Sequence, residues 1–203
     1  MKTSAFCILV LFILLLSMVA GAQETFRISI AGGLAKSDNF ESDLYNPGFN
    51  VAITPWFLPN KNIHLGLRFA YARWTPDEDA FLAETMTVVT NPDITGSVNI
   101  YELLPSIRIA AGFEPFDLFG QFGAGLYFRD KDIRARGEAL GSTVSERLID
   151  ESDTHFGFSA GIGFTLGELG PFGIEAMASY HIIDIDNGSE QFYTLGGGFY
   201  FDF

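Results

Sequence analysis

Ser179 and His181 stand two residues apart, and Glu175 precedes the serine by four. On an extended strand alternate residues share a face. The three side chains would therefore line one side, as a Ser-His-acid hydrolase requires. No pair of oxyanion donors accompanies them, and packing as interior polar groups is the better account of the triplet. A wider set, Arg27, Arg68, Glu102, Arg108, Gln121, Arg129, His155, Glu175 and His181, also falls at alternating positions. Such a set either conducts protons, ions or small solutes, or pairs its charges in an interior. Buried charge must be paired and both signs are present, so pairing of Glu102 or Glu175 with Arg68 or Arg108 is expected. Three acidic runs, Asp77-Glu78-Asp79, Asp150-Glu151-Ser152-Asp153 and Asp184-Ile185-Asp186-Asn187-Gly188, carry oxygen ligands of the kind Ca²⁺ or Mg²⁺ takes. None has the spacing of a complete calcium loop, so they read as solvated loop charge. No catalytic residue, cofactor or metal is assigned.

Positioning these residues falls to segments of period-two alternation. Eight have the length of a tilted membrane strand, about 9–11 residues or more: 25–35, 48–57, 63–74, 97–113, 118–129, 155–166, 172–183 and 191–203. In the cleanest, Ile63, Leu65, Leu67, Phe69 and Tyr71 share one face, and His64, Gly66, Arg68, Ala70 and Ala72 the other. Pro105 lies inside the fourth segment, where it cannot donate to a ladder, and predicts a bulge or local break. Short links (58–62, 114–117, 167–171) alternate with longer ones (36–47, 75–96, 130–153, 184–190). Outer-membrane barrels alternate short periplasmic turns with longer extracellular loops in this way. An even strand number puts both termini on the short-turn side. Apolar residues within the long links, among them Phe81, Leu82, Met86, Val88 and Val89 in one and Ile133, Ala135, Leu140 and Leu148 in another, extend hairpins or line a mouth.

Alternation alone does not say which face is inside, since a soluble ligand-binding barrel has the same period with its apolar face inward. Here the polar face mixes Gly and Ala with Arg, Glu and His, which suits a narrow, filled lumen. The apolar face ends in aromatics, which suits interfacial girdles. Trp56, Phe57, Phe113, Phe116, Phe172 and the C-terminal aromatics are expected in one girdle. Tyr71, Trp74, Phe128, Phe156 and Tyr180 are expected in the other. The expected fold is all-β, an eight-stranded antiparallel up-and-down transmembrane β-barrel.

At the N-terminus, Lys2, an apolar run over 7–19 and Ala20-Gly21-Ala22 compose a secretory leader over 1–22, cleaved after Ala22, with the barrel over 23–203. Cys7, the one cysteine, lies inside that leader, so the mature chain has neither disulfide nor thiolate metal site. Loss of Lys2 leaves 11 basic against 25 acidic residues, a charge of −14. That balance excludes nucleic acid as a partner.

The Gly-rich stretches Gly120-Gln121-Phe122-Gly123-Ala124-Gly125 and 157–163, and the ending Gly196-Gly197-Gly198-Phe199-Tyr200-Phe201-Asp202-Phe203, carry a family resemblance. Over the whole mature chain the sequence resembles the outer-membrane β-barrel domain superfamily, the opacity-protein and OmpA-type eight-stranded barrels. The resemblance implies a Gram-negative outer membrane, with its lipids and lipopolysaccharide as surroundings. It also implies the barrel-assembly machinery and periplasmic chaperones as folding partners, with Tyr193, Phe199, Phe201 and Phe203 on the last strand as the assembly signal. It says little about activity. The expected role is structural or surface-interacting, without catalysis. The alternatives are a narrow, porin-like transporter for small hydrophobic solutes with a lateral opening near Pro105, and a lipid-modifying hydrolase using Ser179 and His181.

Overall fold

A strand with one greasy face and one small or polar face must bury one of them, and a ring of such strands separates the two completely. The computed structural model, which describes residues 25–38, 44–85, 90–113, 116–139, 142–166, 172–186 and 188–203, shows such a ring. Its strands are β1 (Thr25–Ser37), β2 (Gly48–Asn60), β3 (Ile63–Trp74), β4 (Thr90–Phe113), β5 (Phe116–Ala139), β6 (Ser142–Leu166), β7 (Phe172–Ile185) and β8 (Gly188–Asp202). Each pairs antiparallel with the next, and β8 closes on β1. A helix, α1 (Glu78–Thr85), lies between β3 and β4. The leader expected over 1–22 lies outside the described residues, as do Met86, Val88, Val89, Leu140 and the turn expected over 167–171.

The apolar face points outward. Phe26, Ile30 and Leu34 of β1, Phe122 and Leu126 of β5, and Phe158 and Ile162 of β6 are all exposed, while Arg68, Glu102, Arg108 and Glu175 are buried inside. A water-soluble barrel would have the reverse arrangement. Exposed aromatics gather toward both ends. Phe113 packs near Phe116 and Phe172 near Phe201 at the short-turn end. At the other end Phe49, Tyr71 and Tyr101 form a continuous ring contact.

Both tryptophans depart from the girdle expectation. Trp56 and Trp74 are 0% and 4% exposed and point into the lumen. Each falls on the inward parity of its strand, and the neighbouring wall makes room for it. Trp56 stands opposite Gly66, where a Cβ would come within 2.5 Å of the indole. Tyr200 opposite Gly173 and Phe119 opposite Gly163 repeat the device. Cross-strand pairing of a large with an absent side chain lets an eight-stranded barrel, whose interior is just wide enough to be filled, hold aromatic rings.

The turn between β2 and β3 is tighter than expected. The Asn60 side-chain carbonyl accepts the N–H groups of Asn62 (2.9 Å) and Ile63 (3.0 Å), an Asx turn. The Asn62 amide in turn donates to the Ala110 carbonyl (2.9 Å), tying the turn to β4.

At the opposite end the strands outrun the membrane. β4, β5 and β6 have 24, 24 and 25 residues, where about 9–11 suffice for a crossing. Their alternation continues past the girdle, so the hairpins extend instead of ending at residues 97, 129 and 155. Gly96, at a φ of +143°, sits where β4 leaves the barrel; the Asp132 carbonyl of β5 approaches it closer than any Cβ would allow. Beyond this point Phe81 of α1, Ile94, Ile133 and Ala135 make a second buried apolar core, with Leu44, Tyr45, Leu82, Leu148 and Ile149 against it.

Pro105 produces a break and no bulge. The β4–β5 ladder passes from Leu103↔Leu126 to Ser106↔Gly123 in unchanged register, omitting the two pairs between. On its other side Pro105 stays paired with Leu67.

Candidate functional site: the filled lumen and the outer rim

The inward residues of the eight strands stack in layers. Lowest, at the short-turn end, Arg27 of β1 faces Asp202 of β8 across a paired position and donates to both carboxylate oxygens through Nε and Nη2, at 2.6 and 2.8 Å. The Tyr200 ring lies 3.8 Å beneath the guanidinium.

Above it, Arg108 donates to Glu175 (2.8 Å) and to the Gln121 side-chain carbonyl (3.1 and 3.3 Å). The guanidinium is held over the rings of Phe119 (3.9 Å) and Trp56 (4.5 Å). Ser29 donates to the same Glu175 oxygen (3.2 Å) and accepts from Trp56 Nε1 (3.2 Å). A fully buried cation is tolerable because charge, hydrogen bonds and ring faces all meet it.

The next layer joins Arg68 to Glu102 (3.2 Å) and Asn50 (3.4 Å). His181 Nδ1 lies 3.6 Å from Glu102 and 3.1 Å from the Tyr127 hydroxyl. The imidazole is stacked flat on Phe192, with centroids 4.3 Å apart. Over this layer the lumen turns apolar: Ala35, Ala72, Trp74, Val98, Ile100, Leu104, Tyr127, Ile183 and Phe192 form one buried cluster. The gap among Tyr45, Trp74, Lys131 and Phe192 at its top is about 40 Å³, room for a few water molecules and no more.

Arg129 and His155 stand apart, at the rim. Arg129 binds Asp153 (2.6 Å), Glu190 (2.5 Å) and Glu151 (3.4 Å). Lys131 shares Glu190 (2.8 Å), and His155 lies 3.5 Å from Asp153. On the hairpin above, Arg134 and Arg147 both bind Asp132, and Arg147 also binds Asp150. Hydrogen bonds from Arg134 and Arg147 hold Asp132 below the usual carboxylate range, and the bond from Arg129 does the same for Asp153.

The expected polar set is therefore not one network. It divides into an Arg27 group, an Arg108–Gln121–Glu175 group, an Arg68–Glu102–His181 group and a rim group around Arg129 and His155. Sequence reasoning missed Asp202, Ser29, Asn50, Tyr127 and Glu190 as partners, although all five lie on the inward parity of their strands, Glu190 just before the strand expected over 191–203. It also missed the apolar upper layer.

Ser179, His181 and Glu175 do not assemble as a hydrolase. Glu175 is taken by Arg108 and Ser29, and His181 faces Tyr127 and Glu102. Two of the three acidic runs have structural employment too. Asp77 caps α1, accepting from Ala80 N–H at its side chain (3.2 Å) and from Phe81 N–H at its carbonyl (3.0 Å). Glu78 and Asp79 occupy the first turn of that helix, where the dipole favours them. Asp150, Glu151 and Asp153 are matched to arginines, and among the described residues no three carboxylates or histidines gather as a metal cage.

Tyr193, Phe199, Phe201 and Phe203 are exposed on the outer face of the chain's end.

Several solved structures share the fold. Neisserial surface protein A is similar at a TM-score of 0.50 and 16% identity, over 88% of this chain and 97% of that one. The outer membrane protease OmpT of Escherichia coli is similar at 0.50 and 10%, over 91% and 100%. Ail, the attachment invasion locus protein of Yersinia pestis, reaches 0.45 and 21%, over 88% and 97%. Identities this low bear on fold alone, and the two structures at a TM-score of 0.50 are a surface protein and a protease. No curated protein matches the sequence. The model of the outer membrane protein β-barrel domain family matches residues 8–201, and the chain belongs to that family of the outer membrane.

Proposed function

We propose that the protein is a non-conducting, non-catalytic outer-membrane anchor whose long-loop end faces outward and meets a partner. The observation that carries this reading is the filled lumen: ion-paired in its lower half, apolar in its upper half, with residual gaps of about 40 and 20 Å³. A solute path needs connected space, and a lumen filled in this way supports a barrel without one. What remains free is the platform of β4, β5, β6 and α1, which has its own apolar core and so holds a surface in a fixed shape. The extension of β4, β5 and β6 beyond the girdle at one end, with the two-residue links after β2 and β4 at the other, supports the outward orientation, and Lys2 to Ala22 supports export through a cleaved leader. The aromatic last strand suits recognition by the barrel-assembly machinery. Lys36 and Arg73, exposed at the long-loop girdle, have no carboxylate partner among the described residues; they suit the phosphates of lipopolysaccharide.

Planar-bilayer recording of the purified barrel tests the reading. Current at the level of a lipid blank is expected; stable conductance steps would overturn it in favour of the transporter.

A further inference from the structure

The break at Pro105 leaves a polar group unmatched in the membrane wall. In an antiparallel strand both backbone groups of a residue point to one neighbour, alternating along the chain. Ala110 N–H bonds the Asn62 carbonyl next to β3 (2.8 Å), so even-numbered residues of β4 address β3 and odd-numbered ones address β5. Pro105 addresses β5, and it has no N–H to give. The register sets Ala124 opposite it, so the Ala124 carbonyl loses its ladder donor. Tyr101 of the girdle is four residues away along β4. At strand rise and tilt that is roughly 10 Å below the interface, where no water replaces the missing bond.

A recess of about 450 Å³ lies on the outer wall at this point. Pro105 and Ala124 are its less exposed floor, and Ile107, Phe122, Phe158 and Ile182 stand exposed around them. It is closed toward the lumen: the Ser106 and Ser159 hydroxyls crowd the inner side of Gly123, each within 2.8 Å of where a Cβ would sit. The lateral opening expected near Pro105 is thus a blind pocket. Its size is that of a small-molecule site.

We propose that this recess binds a membrane-dissolved lipid alcohol, its aliphatic chain along Phe122, Phe158 and Ile182 and its hydroxyl donating to the Ala124 carbonyl. A plain acyl chain fills the space but leaves the carbonyl unpaired. An ammonium would supply a donor at the expense of a charge at acyl depth. A neutral hydroxyl satisfies both constraints.

The test uses the folded barrel in nanodiscs with a diazirine-bearing 16-carbon alcohol and the matching alkane, labelling sites being mapped by mass spectrometry. Several-fold stronger labelling of the Phe122 and Phe158 peptides by the alcohol is expected. Pro105→Ala restores the ladder N–H and should equalise the two probes. Ala160→Phe narrows the recess and should lower both. Equal labelling of the wild-type protein by alcohol and alkane overturns the proposal whatever the variants do, as does a preference that survives in folded Pro105→Ala.

Discussion

Glu175→Ala puts the packing of the lumen to a quantitative test. Arg108 is 1% exposed, and Glu175 is its one carboxylate partner among the described residues. Removing one member of a buried pair typically costs about 3–5 kcal/mol, because the other charge stays behind without compensation. The Gln121 carbonyl and the rings of Phe119 and Trp56 remain around the guanidinium. Ring contacts of this kind retain roughly 0.5–2 kcal/mol, so the lower end of the range, about 3 kcal/mol, is expected, or roughly a hundredfold in the folding equilibrium. Glu175→Gln keeps an acceptor for Arg108 and Ser29 and loses only charge, so it should fall between wild type and Glu175→Ala. Arg108→Met combined with Glu175→Leu removes both charges together and should recover most of the loss. Urea unfolding of the barrel in phospholipid vesicles, followed by the fluorescence of the inward Trp56 and Trp74 and by heat-modifiable gel migration, measures all of these. If Glu175→Ala unfolds within about 0.5 kcal/mol of wild type, or the double variant is weaker than Glu175→Ala, the pair is not what holds this layer.

The interdigitation of rings and glycines predicts that Gly66→Val, which would drive a side chain into Trp56, costs about 1–3 kcal/mol; Trp56→Leu in the same background should restore part of it in the urea assay. Asp132 and Asp153 are held below the ordinary carboxylate range, so their contribution is present above the unfolded value near 4 and is lost as pH falls through the lower folded values. Limited proteolysis should therefore cut the β5–β6 hairpin somewhat faster in strong acid than at neutral pH, and Asp132→Asn, which removes exposed ion pairs and leaves the apolar core, should raise the neutral-pH rate only modestly. Trp74→Ala with Phe192→Ala removes much of the apolar layer, yet bilayer current should stay at the lipid blank because Arg68, Glu102, Tyr127 and His181 close the lumen beneath. A conductance step in that variant would locate the seal in the apolar layer alone.

Strand number, order and outward face were legible because lipid and lumen impose a period of two on every residue, and the girdle-to-girdle segments obey it. Trp56 and Trp74 were misread where residue type was weighed above parity: tryptophan favours interfaces, but Gly66 opposite Trp56 makes an interior place for that ring. The starts of β4 and β6 were placed too late and the end of β5 too early for a related reason. Ile94, Ile133 and Ala135 continue the alternation beyond the bilayer, while charges interspersed among them read locally as loop. The partners of the buried ions were hidden for another cause. Arg27 and Asp202 are 175 residues apart in the chain, and only the closure of β8 on β1 sets them face to face.

The division of the lumen links these points to function. An ion pair inside a narrow barrel gains little stability over an apolar pair of equal volume, and the upper layer of Trp74, Ile100, Leu104 and Phe192 fills the same cross-section without charge. The lower layers are therefore better understood as fixing register. Arg27 meets Asp202 across the β1–β8 seam, and Arg108 spans from β4 to β7, contacts that a slip by one residue would turn outward into lipid. Both halves fill the cross-section with side chains that hold the ring together. On the reading proposed above, recognition then falls to the surfaces that packing leaves free, the platform beyond the girdle and the recess beside Pro105.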